Sequence, residues 1–124
     1  MERRYLFAAI LSLAILTFCF SYLDMVQSFS SRYMIWDSIE HVLGGVTVGF
    51  FALFVFTLFR LHPVYRMTVF AVFAVGVAWE IMEAHYGIGG SQWMGYWADT
   101  VKDVVCDVTG GYGAVAIGRH MRHL

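Results

Sequence analysis

Four apolar runs, each near the length of a bilayer span, constrain this chain of 124 residues more than any other feature. Tyr5 to Leu23 carries no charge, and Ile39 to Phe59 carries only Glu40 and His41 at its start. Met67 to Tyr86 holds Glu80, Glu83 and His85 near its end, and Val101 to Gly118 holds Lys102, Asp103 and Asp107 near its start. A helix needs about 20 mostly apolar residues to cross the hydrocarbon. Only helices and closed barrels satisfy their backbone groups there, and the runs lack the period-two alternation of a barrel strand. The composition agrees: 60% hydrophobic and 14% charged residues leave too little charge for an ordinary soluble domain. The chain is therefore expected to be an all-α, polytopic integral membrane protein. It should form one transmembrane domain over residues 1–124, a small bundle of four transmembrane helices at about 5–23, 37–59, 67–86 and 99–118.

Arg3 and Arg4 before the first run resemble the basic start of a signal peptide. The run is long for a cleavable signal and no clear A-x-A-like site follows, so a retained anchor is expected. Arg60 and Arg66 lie between the second and third runs, and Arg119 and Arg122 follow the fourth. The opposite side has Arg32, with Lys102 near its boundary. The positive-inside rule then places both termini in the cytoplasm. His120 and His123 join the basic tail as solvated anchors.

Against this apolar background the acids stand out. Asp37, Glu40, Glu80, Glu83, Asp99, Asp103 and Asp107 are seven of the nine in the chain, and they sit in or beside the apolar runs. Each ionisable group at membrane depth costs at least roughly 2.5–3.5 kcal/mol on the mildest scale. The alternating directions of the four helices bring Asp37, His41, Glu80, Glu83, Asp99, Asp103 and Asp107 to the outer half of the bundle. Asp107, eight residues past Asp99, lies about 12 Å deeper along the axis.

The spacing also fixes faces. Asp99, Asp103 and Asp107 form one stripe at four-residue intervals, Asp37 and His41 are one turn apart, and so are Glu80 and Glu83. The stripes continue into small residues: Gly45 and Gly49 after His41, Gly76 before Glu80, and Gly110, Ala114 and Gly118 after Asp107, with Gly111 and Gly113 beside them. Small residues at such intervals let helix backbones approach closely, so the acidic faces are expected to point inward.

Buried carboxylates take up protons, pair with a cation or face water. Only Lys102 and Arg32 are near enough to offset them, which favours a bound cation, shared protons or both. Histidine with several carboxylates suits Zn, Mn or Fe, and carboxylates with water suit Mg. The expected metal-binding residues are His41, Glu80, Asp103, Asp107, Asp99 and Asp37, with Glu83 as a candidate catalytic base. Plainer readings stand beside these. The cluster can be a structural polar network, or its members can snorkel to the surface. Asp37 and Asp99 can be helix N-caps. Glu40 can favour the dipole at its helix start or face a neighbouring helix. His85, beside Tyr86, reads as interfacial.

Asp24 to Trp36 is expected to connect the first two helices along the membrane surface. Gly87 to Ala98 forms a second loop, in which Gly87, Gly89 and Gly90 give flexibility and Trp93, Tyr96 and Trp97 suit an aromatic belt. A sharper reading makes this loop a lid over a lipid headgroup. Cys19 and Cys106 read as small buried hydrophobes rather than a disulfide. The Phe residues between Phe50 and Phe59 read as lipid-facing or core packing. No phosphate-binding glycine loop, Ser-His-Asp arrangement or nucleic-acid-binding patch is present.

The pattern Trp79-Glu80-x-x-Glu83, a glycine-bearing loop, then Asp99-x-x-Lys102-Asp103-x-x-x-Asp107-x-x-Gly110, with Asp37-x-x-Glu40-His41 earlier, resembles the YjdF-like bacterial inner-membrane proteins. More distantly it resembles the VanZ-like family, which is linked to glycopeptide resistance. The likeness covers roughly Asp37 to Gly118. It implies a multi-pass protein of the bacterial inner membrane, with an Asp and a His opening one helix, a later Glu, and an Asp before a glycine-rich final helix. This chain departs by lacking an arginine in the second loop and by carrying Asp107 where VanZ-like proteins usually have asparagine. The run Gly95, Asp99, Asp103, Asp107 also resembles half of the CDP-alcohol phosphotransferase motif, whose other half is absent.

Three functions fit these residues. The first is binding of a divalent cation, a lipid headgroup or a cell-envelope precursor headgroup at the outward-facing cluster. The second is a metal-dependent enzyme acting on a lipid-linked substrate, with metal polarising the reacting group. The third is a proton or cation path, which the apolar inner half of every helix disfavours. The bilayer is the expected partner, a homodimer is compatible with so small a bundle, and no nucleic-acid partner is expected.

Overall fold

The computed structural model describes residues 3–28, 32–87 and 94–121, with side chains from Phe7 onward. Gly89, Gly90, Trp93, Arg122 and His123, used in the sequence reading, lie outside the described residues. Four helices follow one another: α1 (Arg3–Gln27), α2 (Met34–Leu58), α3 (Val64–Tyr86) and α4 (Tyr96–Met121). Three of them, over Phe7–Gln27, Met34–Leu58 and Val64–Tyr86, are long and apolar enough to cross a membrane. The fourth is less apolar than its neighbours, because its polar face carries three aspartates and a lysine.

Every helix begins before the bound read from its apolar run, and α1 and α4 also end beyond it, whereas α2 ends at Leu58 and α3 at Tyr86. Helical hydrogen bonding continues past the last apolar residue, whereas a hydropathy reading stops at the first charge. Both ends of the connector expected over Asp24–Trp36 are helical instead, because α1 runs on to Gln27 and α2 already begins at Met34. Asp37 and Asp99 are not N-caps either. Tyr33 holds that position before α2, and both aspartates lie in the first turn of their helices. A carboxylate there still favours the positive end of the helix dipole. Pro63, which has no N–H to lose, precedes α3, and Gly87 ends it in the left-handed region at φ 65°, its N–H donating to the Glu83 carbonyl.

Contacts between residues set the directions. Asp37 meets Lys102, His41 meets Asp103 and Asp107, and Gly49 meets Gly111 and Ala114, so α2 and α4 run parallel over their length. Gly76 meets Asp107 and Val72 meets Gly111, so α3 runs antiparallel to α4. The Thr17 and Thr47 hydroxyls bond at 2.9 Å and Phe20 stacks on Trp36, which sets α1 antiparallel to α2. Helix α2 is central and touches all three others, whereas α1 packs against α2 alone.

The small residues explain how α2 and α4 come so close. A Cβ added at Gly45 would collide with the Asp107 carbonyl oxygen, and one at Gly110 with the Val42 carbonyl oxygen. One at Gly49 would lie 2.7 Å from the Ala114 Cβ. Gly113 is outside this interface, since its missing side chain would meet nothing within 4 Å.

Burial is inverted relative to a water-soluble protein. Phe18, Phe51, Phe70, Ile81, Val101 and Val105 are exposed, while Glu80, Asp99, Asp103 and Asp107 are buried. Lipid-facing apolar groups around a polar interior are what a bilayer solvent selects. One half of the bundle does have an apolar core, in which Phe50, Leu53, Val64, Ala114 and Val115 pack together. The phenylalanines divide accordingly, with Phe50 of α2 in the core and Phe51 of α2 and Phe59, just past its end, outside.

Candidate functional site

The acidic stripe of α4 folds onto the start of α2, and two nitrogen-bearing side chains organise it. Lys102 reaches back along its own helix and across to α2. Its ammonium Nζ bonds the Asp37 carboxylate, lies 2.8 Å from Asp103 Oδ1 and 3.1 Å from Asp99 Oδ1. Three aspartates thus share one tethered cation. The sequence placed Lys102 near the membrane boundary, and its long apolar stem carries the charge from there into the cluster.

His41 is the second organiser. Its Nδ1 lies 3.3 Å from Asp107 Oδ1. The other ring nitrogen, Nε2, faces Asp103 Oδ2 at 3.7 Å and Asp37 Oδ1 at 3.9 Å. Asp37, His41 and Asp103 each offer one ligand atom, and these atoms all lie within 4.8 Å of one another. A hydrogen bond from one imidazole nitrogen to a carboxylate leaves the other free to bind a metal and fixes where it points.

Asp107 owes its place to missing side chains. A Cβ at Gly76 would lie 2.6 Å from Asp107 Oδ2, and Gly44 leaves ordinary contact space beside Oδ1. The carboxylate therefore occupies a slot where α2, α3 and α4 meet, with His41 as its polar partner. Glu80, on α3, is 7% exposed. Its Oε1 has no hydrogen-bond partner among the described residues, and the Thr100 side chain of α4 lies beside the carboxyl group.

The remaining acids lie apart from this group. Glu83 accepts a 2.8 Å hydrogen bond from the Trp79 indole, one turn back on its own helix. Glu40 meets Ser21 of α1 and also senses the charges of Asp37 and His41. His85 packs edge-on against Tyr86 at the end of α3, and Tyr96 against Trp97 at the start of α4. Cys19 is exposed and Cys106 half-buried, and both are free thiols. The expectation of burial for Cys19 fails because α1 packs on α2 by its other side.

The sequence grouped His41, Glu80, Asp103, Asp107, Asp99 and Asp37, with Glu83 as a candidate base, and the structure brings His41, Asp37, Asp99, Asp103 and Asp107 together. Glu80 lies beside them, and Glu83 is held by Trp79. The role of Lys102 was the main feature beyond sequence reach. Its spacing to Asp99 is visible in the chain, but its partner Asp37 is 65 positions away.

The model of a family described as "Predicted membrane protein (DUF2238)" matches residues 1–123, and the chain belongs to that family. No curated protein matches it, and no solved structure does.

Proposed function

We propose that this member of a family of predicted membrane proteins binds a divalent cation in its membrane-embedded cluster, with Asp37, His41 and Asp103 as ligands. One observation carries the reading: three ligand atoms converge within 4.8 Å, from two helices locked in register. Two carboxylates and an imidazole suit Mn, Fe or Zn better than Ca. Asp107 serves as the outer partner that orients His41, rather than as a ligand. Asp99 retains the Lys102 ammonium when the metal takes Asp37 and Asp103. The surplus of negative charge supports the same reading, since four aspartates face one lysine and one histidine.

The reading includes α4 as a fourth span, because it lies beside α2 over the length of that span. The basic residues support termini in the cytoplasm, and the likeness to YjdF-like proteins supports the bacterial inner membrane. An open coordination position facing a lipid or envelope-precursor headgroup is the further form of this function.

The test is metal content of the detergent-purified protein by ICP-MS after loading with Mn, Zn or Mg, beside D37N and D103N. Near-stoichiometric metal in the wild type and its loss in both variants is the expected result. No metal in the wild type after loading overturns the reading and leaves a structural ion-pair network.

A further inference from the structure

The opposite end of the bundle holds a groove of different character. It lies between the first half of α3 and the second half of α4, with a volume of about 470 Å³. Arg66 and Arg119 line one mouth. The Arg119 guanidinium stacks 4.4 Å over the Tyr65 ring, which fixes its position. Away from that mouth the lining turns apolar, through Phe70, Phe73 and Val108. From Arg66 to Phe73 is seven residues, roughly 10 Å along a helix axis.

We infer that this groove binds an anionic phospholipid of the surrounding bilayer, its phosphate between Arg66 and Arg119 and its acyl chain along Phe73 and Val108. Charge complementarity selects this occupant. No acidic residue lies between Glu40 and Glu80 or beyond Asp107, so these helix segments supply no carboxylate to the two arginines. Among the described residues neither guanidinium has a carboxylate partner. The groove also faces outward where a lipid can reach it: Phe70 is 71% exposed and Tyr112, on the same wall, 59%. Helix α1 covers α2 and leaves this flank open. Basic pockets between transmembrane helices are a recurrent site for anionic headgroups.

Native mass spectrometry of the full chain in detergent tests it, with phosphatidylglycerol and phosphatidylcholine supplied at equal concentration. The wild type is expected to retain phosphatidylglycerol about tenfold over phosphatidylcholine, with the preference falling at high ionic strength and abolished in R66Q/R119Q. R66K/R119K, which keeps both charges, is expected to retain most of it. Equal retention of the two lipids by the wild type overturns the inference. So does a preference unchanged in R66Q/R119Q, or a dimer whose formation excludes lipid. Because the arginines are exposed, helix content by circular dichroism should match the wild type in both variants.

Discussion

The two ends of this bundle solve the problem of burying side chains in opposite ways. At one end Phe50, Leu53, Val64, Ala114 and Val115 interlock, and the charges are pushed to the exposed arginines. At the other end the interior is polar, and Asp37, Asp99, Asp103 and Asp107 are held around Lys102 and His41. The apolar end tolerates exchange of one aliphatic group for another of like volume. The acidic end does not, because each group there is partner to another, and removal of one leaves the rest uncompensated.

K102M is the strongest way to break this contrast. It strips three aspartates of their shared cation, and loss of a partner from a buried ion pair costs about 3–5 kcal/mol. The expected result is a large fall in melting temperature in detergent, recovered by saturating Mn and smaller in K102M/D103N. Substitution at the helix contact comes next. G45A drives a methyl into the Asp107 carbonyl and is expected to cost about 1–3 kcal/mol by overpacking. The paired change G113A meets nothing and should be neutral or stabilising by about 0.5 kcal/mol, since glycine weakens a helix interior. Both are read by thermal melts monitored by circular dichroism. D107N sharpens the division of labour within the site. An outer partner of a metal-bound histidine is typically worth about ten- to a hundredfold in affinity, so a Mn titration should show that loss with stoichiometry unchanged. The smallest effect belongs to the basic end: R66Q/R119Q should leave Mn affinity unchanged and stability within about 0.5 kcal/mol.

What the sequence disclosed follows the same division. The apolar runs located all four helices, three of them long and apolar enough to cross a membrane. The acidic stripe of α4 revealed its inward face because three aspartates recur on one side of the helix and all three are buried. Helix ends were less legible, since charge marks the membrane boundary rather than the last helical hydrogen bond. Partner choice was the least legible of all. Glu80 and Glu83 share a turn, yet one is buried beside Thr100 and the other is taken up by Trp79. Glu40 and His41 are neighbours, yet one faces α1 and the other α4. Such choices depend on which helix lies opposite, and no spacing within one helix encodes that.

The parallel pairing of α2 with α4 has a consequence for biogenesis. Helix α4 carries Asp99, Lys102, Asp103 and Asp107, a burden of roughly 2.5–3.5 kcal/mol per group for a helix entering lipid alone. Within α4, Lys102 already bridges Asp99 and Asp103. The rest of its shelter comes from Asp37, His41 and the glycine slot of α2, and from Gly76 of α3. Both helices precede α4 in the chain, so the groups that shelter its charges are synthesised before it.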